Sequence, residues 1–179
     1  PSSAGSHIII CGSVGSVRAG GMPLGSSSGS SLMPFFREFF NDDHGNVERS
    51  AVVLARGQPS AQLQSLLSHP KYALGITYLD GNVMEAKDLK RGCTEMARAV
   101  FIMSNKNCAD ANAEDASTIL RALAIKRYVF ERTGRDIMTC VQLLRPENKA
   151  LFYSTTDAFS RAALAAAAAM TPAERMLSH

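Results

Sequence analysis

The chain has 179 residues, a formal net charge of +3 and 46% hydrophobic residues. This length suits one domain with an appendage and allows a sizeable buried core. The small net charge, with no basic block interleaved with aromatic residues, excludes the usual nucleic-acid binders. Because no apolar run approaches the roughly 20 residues that span a bilayer, we expect the chain itself to be soluble.

Cysteine and histidine spacing excludes two further classes of protein. The cysteines are scattered without a C-x-x-C pair, which favours reduced thiols in a cytosolic setting over a disulfide framework or a zinc site. The histidines lie far apart, with no pair at i, i+4 spacing, so a metal-dependent hydrolase is not expected. We interpret residues 1–6 as a linker or tag remnant.

Apolar runs and capping signals predict strands that alternate with helices along the chain. The predicted strands cover residues 7–12, 50–54, 72–79, 100–103 and 137–143. The predicted helices cover residues 32–40, 61–67, 85–96 and 113–131, and a last one starts near residue 145. Ser60 is the predicted cap of the helix over residues 61–67. Such alternation is typical of right-handed βαβ units. It predicts an α/β fold, a Rossmann-like doubly wound parallel sheet with a C-terminal helical extension.

The predicted domain boundaries follow from this pattern. Residues 7–156 form the Rossmann-like lobe, and residues 157–179 form a helical extension toward a second lobe or a partner. An alanine run supports the helix of the extension, since alanine is the best helix former. The extension has few large side chains to hold it on the sheet, so we expect it to pack against a partner.

A polar stretch, residues 104–117, joins the predicted fourth strand to the longest predicted helix. Asn112 is the predicted N-cap, and Glu114 and Asp115 would face the positive end of the helix dipole. In open α/β sheets, ligands bind at the carboxyl ends of the strands. The stretch therefore indicates a binding region, with a merely well-capped loop as an equally weighted alternative.

The loop after the first strand lacks the dinucleotide fingerprint G-x-G-x-x-G. Gly12 is present, but Val14 and Val17 occupy the second and third glycine positions, and their branched side chains would meet the phosphate oxygens. The second strand ends in Arg56 rather than in an acid for the ribose. We expect no bound cofactor at this degenerate loop. No G-x-S-x-G pattern or neighbouring histidine indicates a catalytic serine, so we predict no enzyme activity.

Four segments carry a family resemblance. They begin at Asn105 (NKNCAD), Ala113 (AEDAS), Ile119 (ILRA) and Val141 (VQLLRPENK). Over roughly residues 7–153 the chain resembles the first cytosolic RCK (regulator of K⁺ conductance) domain of Slo-type potassium channels. The resemblance implies a gating-ring domain at the cytoplasmic face of an integral membrane channel. Its partners would be other RCK domains, in a homotetramer, and the transmembrane pore.

The resemblance also implies a regulatory cation site. Glu38 and Asp43 match the calcium-linked carboxylates of the family, with Asp42 as an extra neighbour. Oxygen ligands on a loop independently suit Ca²⁺. The alternative is that Asp42 and Asp43 only solvate a helix end. The family's weaker magnesium site falls at Ser50 and Thr77, which implies that this second site is lost.

We therefore expect a regulatory domain that couples Ca²⁺ binding to the opening of a potassium channel. One alternative is an assembly domain without its own ligand site. Another is a nicotinamide-dependent oxidoreductase, which the broken glycine loop argues against. Features shared with sodium-activated relatives leave the activating ion open between Ca²⁺ and Na⁺.

Overall fold

A computed structural model describes residues 7–17, 29–41 and 49–169 of the chain. In chain order its elements are β1 (His7–Gly12), β2 (Ser16–Val17), α1 (Gly29–Phe39), β3 (Ser50–Ala55), β4 (Gln58–Pro59), α2 (Ala61–Leu67), β5 (Ile76–Asp80), α3 (Ala86–Arg91), a 3₁₀ turn (Thr94–Met96), β6 (Ala99–Met103), α4 (Ala111–Thr133), β7 (Met138–Val141) and α5 (Asn148–Ala169). Within these ranges, none of the helices combines the length and hydrophobicity that crossing a bilayer requires.

Five strands form one parallel sheet in the order β5-β3-β1-β6-β7. Successive residues of β1 point to opposite faces, as the pleat of a strand requires. Ile8 and Ile10 pack with the side chains of α1 and α2. Ile9 and Cys11 pack with those of α3, α4 and α5. Helices on both faces confirm the predicted doubly wound α/β fold, and the direction of strand addition reverses between β1 and β6.

Two predicted helix caps have different outcomes. Ser60 caps α2 as predicted, because its hydroxyl accepts a hydrogen bond from the Leu63 N–H at 3.3 Å. At α4, the prediction of Asn112 as the cap was wrong. Asp110 takes that position, and its Oδ1 accepts from the N–H groups of Asn112 at 2.9 Å and Ala113 at 3.1 Å. The helix therefore begins at Ala111, two residues before the predicted start.

Several predicted boundaries also needed correction. The third strand of the sheet, β5, begins at Ile76 rather than at residue 72, because the carbonyl of Tyr72 accepts turn hydrogen bonds from the N–H groups of Gly75 at 2.9 Å and Ile76 at 3.0 Å. The helix predicted over residues 85–96 ends at Arg91. Cys93 follows with a left-handed φ of 48°, which no helix interior accommodates.

Strand β7 and helix α5 also differ from their predicted bounds. The fifth strand of the sheet ends at Val141, two residues before the predicted end. The predicted C-terminal helix is confirmed, and α5 runs without a break through the predicted boundary between residues 156 and 157. It packs against α4 near Phe159, whose ring centroid lies 6.3 Å from that of Phe130.

Candidate functional site

A cavity of about 450 Å³ lies at the carboxyl ends of the strands, at the point where strand order reverses. We call this cavity the crevice. In open α/β sheets this is the usual position for ligands. Its walls come from the loops after β1, β3, β5 and β6 and from one side of α4. The lining residues are Gly12, Ser13, Leu54, Ala55, Arg56, Gly81, Asn82, Val83, Met84, Asn105, Glu114, Ser117, Leu120 and Arg121.

The degenerate glycine loop is built into the sheet. Gly12 has a φ of +92°, and a Cβ at this position would overlap the carbonyl oxygen of Met103. The Ser13 N–H donates to that same oxygen at 2.7 Å. Val14 is fully buried in the core between the sheet and α1. The glycine thus permits close packing of β1 on β6, and an N–H that a phosphate loop would offer to a ligand is already bonded.

A short antiparallel ladder, absent from the sequence predictions, fixes the rest of this loop. Val17 of β2 pairs with Gln58 of β4. The Ser60 N–H also donates to the carbonyl of Gly15 at 2.8 Å. Strands of two residues are too short to show an alternating pattern, so the sequence does not predict them. The ladder holds the loop after β1 against the exit of β3.

The polar stretch after β6 brings together two of the segments that carry the family resemblance. Asp115 is completely buried. Its Oδ1 accepts from the Leu144 N–H at 2.8 Å, and its Oδ2 accepts at 2.9 Å from both the Arg145 N–H and the Asn148 side-chain amide. We call Asp115 with these three donors the Asp115 cluster. It fastens the exit of β7 and the start of α5 to α4.

Burial by itself raises the pKa of Asp115, but the hydrogen bonds from Leu144, Asn148 and Arg145 outweigh it. The pKa therefore lies below its ordinary value of 3.8, and the group is a carboxylate at neutral pH. A buried carboxylate with three donors is a structural anchor, because its accepting oxygens are occupied within the chain.

Neighbouring residues of the stretch make similar internal bonds. The Ser104 hydroxyl contacts the carbonyl of Gln142 and the Thr118 hydroxyl. The Asn105 N–H donates to Oε1 of Glu114 at 2.9 Å. Much of the stretch is therefore a structural junction of β6, α4 and β7, while Asn105 and Glu114 also face the crevice.

Glu38, one of the two predicted calcium ligands, lies elsewhere, at the far end of α1. Glu38 is exposed in the last turn of that helix. Asp43 and Asp42 lie outside the described residues. Among the described residues, no group of three or more metal-binding side chains comes together. The structure therefore places one of the two predicted ligands and leaves the pairing a prediction.

Arg49, which sequence reasoning missed, fixes the end of α1. Its Nη1 donates to the carbonyl oxygens of Phe39 at 2.6 Å and Asn41 at 3.1 Å. These are helix-terminal carbonyls, which have no partner within the helix and favour a cation. Arg49, Glu38 and Phe101 help to line a shallow cavity of about 270 Å³ beside the helix. No local pattern in the sequence predicts this contact, because it joins two separate elements.

Arg121 of α4 is a second residue whose role the sequence did not predict. Its side chain is only 25% exposed and lies on the wall of the crevice. Its Nη1 is buried without a hydrogen-bond partner and lies 3.8 Å from Oε1 of Glu114. The i, i+7 spacing of Glu114 and Arg121 puts both on one helix face and was the available signal.

The only described cysteine that is fully buried has no nucleophilic character. Burial raises the pKa of Cys11 to about 12, and the charge of Arg121 opposes this rise only in part. The thiol therefore stays neutral at physiological pH, and a neutral thiol is a poor nucleophile.

The family described as "Calcium-activated potassium channel slowpoke-like RCK domain" matches residues 3–164. Human potassium channel subfamily U member 1 is 32% identical over 142 residues, which cover 79% of this chain and 11% of that protein. The calcium-activated potassium channel slowpoke of Drosophila melanogaster is 29% identical over 144 residues, which cover 80% of this chain and 10% of that protein.

The chain thus spans about a tenth of the length of these curated relatives. Among solved structures, the human SLO3 gating ring aligns with a TM-score of 0.55 and 25% identity, over 83% of this chain and 21% of that one. The family match covers most of the residues, and the sheet has the same fold as part of that gating ring. This chain therefore belongs to the slowpoke-like RCK domain family of calcium-activated potassium channels.

Proposed function

We propose that this chain is a cytosolic regulatory domain of a potassium channel, in which Ca²⁺ binding at Glu38 and Asp43 is coupled to opening of the pore. Membership of the RCK family supports the regulatory role. The observation that carries the cation site is the exposed position of Glu38 in the last turn of α1, five residues before Asp43. A carboxylate there is accessible, and carboxylates are the preferred ligands of Ca²⁺.

The fixed end of α1 supports the same proposal. Arg49 binds the carbonyls of Phe39 and Asn41, so the helix end that precedes Asp43 has a defined position. A cation site needs ligands whose relative positions are held, because ordering them on binding costs conformational entropy. In this scheme Arg49 is a positioning residue rather than a ligand.

Thermal unfolding with Ca²⁺, Mg²⁺, Na⁺ and NAD tests the ligand. A ligand that binds only the folded chain raises the free energy of unfolding by about 2.7 kcal/mol at a hundredfold excess over its Kd. We expect a rise in Tm with Ca²⁺ alone, and its loss in Asp43→Asn and in Glu38→Gln. Asp42→Asn is the matched control, since it removes the same charge next to the site and should keep most of the rise.

Three results would contradict the calcium site. They are a Tm unaffected by Ca²⁺, an equal rise with Mg²⁺, and a rise that survives in both Asp43→Asn and Glu38→Gln. A Tm rise with Na⁺ alone would move the chain to the sodium-activated class. A rise with NAD would contradict the interpretation of Gly12, Val14 and Val17 as a dismantled nucleotide loop.

Coupling to the pore needs a channel. Replacing the matching segment of the Drosophila slowpoke channel with this chain, and recording currents from excised patches, measures it directly. We expect cytoplasmic Ca²⁺ to open the chimera and Asp43→Asn to require a higher Ca²⁺ concentration. A chimera that opens with voltage but ignores Asp43→Asn would contradict the coupling.

A second candidate function, assembly with other RCK domains, is favoured by an exposed apolar side chain on α4. Leu120 is 57% exposed, and Leu151 of α5 is 53% exposed. Exposed apolar side chains of this size suit a protein interface when they form a patch. Light scattering over a range of chain concentrations tests this function. We expect association that Leu120→Gln weakens, and a monomer at every concentration would contradict it.

A further inference from the structure

We propose that the crevice binds a small organic anion, with a carboxylate or phosphate group held by Arg121 and Arg56. This site is separate from the proposed cation site at Glu38. The crevice lies at the carboxyl ends of the strands, whereas Glu38 lies at the end of α1 beside Arg49, which precedes β3. The proposal therefore does not depend on calcium binding. It assigns a second ligand, of opposite charge, to the same domain.

The first observation is the state of the Arg121 guanidinium. The side chain is three-quarters buried, and its Nη1 is completely buried without any hydrogen-bond acceptor. A guanidinium carries five N–H donors and cannot give up its charge in a protein. Burying such a donor without an acceptor costs free energy and leaves the charge of the guanidinium uncompensated. The exposed quarter of the side chain lies on the wall of the crevice, and there an anion would meet this charge.

Glu114, the nearest carboxylate, does not meet this demand. Its Oε1 lies 3.8 Å from the Arg121 Nη1, which is beyond hydrogen-bond distance. The same oxygen already accepts from the Asn105 N–H at 2.9 Å. Glu114 is thus held by the loop after β6, and the guanidinium beside it keeps donors for another acceptor.

The charges around the crevice favour an anion. The charged residues that line it are Arg56, Arg121 and Glu114, which gives one net positive charge. Asp80 and Asp88 do not line the crevice, and they accept hydrogen bonds from the backbone N–H groups of Gly57 at 2.7 Å and Asn82 at 2.8 Å. The flat fork of a guanidinium matches a carboxylate or phosphate with two parallel hydrogen bonds.

The size and walls of the crevice limit the ligand to a compact molecule. A volume of about 450 Å³ lies within the range of small-molecule sites. Leu54 and Val83 supply apolar wall for the body of such a ligand. The loop of Gly12 and Ser13, where a dinucleotide would place its pyrophosphate, is occupied by contacts with Met103. The anionic group is therefore bound from the side of α4 rather than by the backbone of the glycine loop.

Isothermal titration calorimetry on the full chain tests the site with two pairs of probes. AMP and adenosine differ by the phosphate, and malonate and malonamide differ by the carboxylates. We expect AMP or malonate to bind at about 1 mM or tighter, and both uncharged partners to bind at least tenfold more weakly. Whichever anion binds identifies whether the site takes a phosphate or a carboxylate.

Variants on α4 place the site. Arg121→Gln should weaken binding of that anion about ten- to a hundredfold. Arg121→Lys keeps the charge but loses the pair of parallel N–H donors, so its affinity should lie between those of the original chain and Arg121→Gln. Arg127→Gln is the matched control, because this exposed arginine on the same helix pairs with Glu131 at 2.7 Å and lies outside the crevice. It should bind within twofold of the original chain.

Failure has a distinct signature. If neither anion binds the original chain at about 10 mM, or if each uncharged partner binds as well as its anion, the proposal is wrong. Equal binding by Arg121→Gln and the original chain would likewise overturn it. Circular dichroism checks the fold of each variant, and if Arg121→Gln does not fold, the Arg121→Lys titration decides. None of these outcomes alters the expected response to Ca²⁺.

Discussion

Two charged side chains on α4 differ in whether their buried polar atoms have hydrogen-bond partners. The Asp115 carboxylate accepts three hydrogen bonds from the exit of β7 and the start of α5. The Arg121 guanidinium, on the crevice side of the same helix, has a buried nitrogen with no acceptor. A satisfied buried charge stabilises the fold, whereas an unsatisfied one costs free energy that a ligand can recover. One helix thus carries an anchor on one face and a recognition group on another.

The largest expected effect comes from breaking the Asp115 cluster. Asp115→Ala leaves the N–H groups of Leu144 and Arg145 and the Asn148 amide without their acceptor. We expect the free energy of unfolding to fall by about 3 to 5 kcal/mol, because each buried unpaired donor is costly. Urea unfolding followed by circular dichroism measures it. Glu131→Gln, an exposed carboxylate on the same helix, is the control and should change stability by less than about 0.5 kcal/mol.

A second prediction concerns the floor of the crevice. Gly12→Ala should destabilise the chain by about 2 to 5 kcal/mol, because alanine is strained at a φ of +92° and its Cβ overlaps the Met103 carbonyl. Gly134→Ala is the matched control, since Gly134 also has a positive φ, of 66°, but no atom within 4 Å of the added Cβ. We expect a cost of about 1 kcal/mol there. Equal losses in thermal unfolding would show that packing on β6 contributes nothing.

The third prediction is the acid dependence of the Asp115 cluster. The pKa of Asp115 is lower in the folded chain than its ordinary value of 3.8, so the unfolded chain binds the proton more tightly. The resulting stability is fully present above the unfolded pKa and is lost as pH falls through the folded pKa. Urea unfolding between pH 5 and pH 2.5, as a rough range, should show a smaller acid loss in Asp115→Asn. Identical slopes in both chains would contradict it.

The smallest expected effect is that of Arg121→Gln on stability. The substitution removes a donor that lacks an acceptor and an ion pair of 3.8 Å, so little stabilisation is lost. We expect a change within about 0.5 kcal/mol of zero in urea unfolding. If Arg121→Gln lowered the free energy of unfolding as much as Asp115→Ala does, both side chains would stabilise the fold equally, and Arg121 would be a structural residue.

Sequence patterns predicted the strands better than the junctions between elements. The β-branched run of β1 and the Ser60 cap act through local chemistry, so both predictions were confirmed. Several polar residues before α4 could have capped it, so the prediction of Asn112 was wrong. Asp110 is the cap because its carboxylate accepts hydrogen bonds from two N–H groups. The late start of β5 and the break at Cys93 depend on turns that the apolar pattern does not encode.

The sites were less predictable for a different physical reason. The family resemblance supplied Glu38 and Asp43, and the structure adds only the exposed position of Glu38. The Asp115 cluster joins segments about thirty residues apart, and its donors are mostly backbone groups, which every sequence has. The Nη1 of Arg121 lacks a hydrogen-bond acceptor because Glu114, the carboxylate beside it, accepts from the Asn105 N–H of the loop after β6. Such contacts appear only once the chain is folded.

The uninterrupted course of α5 has a mechanical consequence. A helix of 22 residues is a rod about 33 Å long, at 1.5 Å of rise per residue. The side-chain amide of its first residue, Asn148, donates a hydrogen bond to Asp115. A tilt of about 10° at this end displaces the far end of such a rod by about 6 Å. Because α5 contacts α4 both at Asn148 and at Phe159, a tilt of α4 would carry α5 with it, and the length of the helix sets how far its last turn moves.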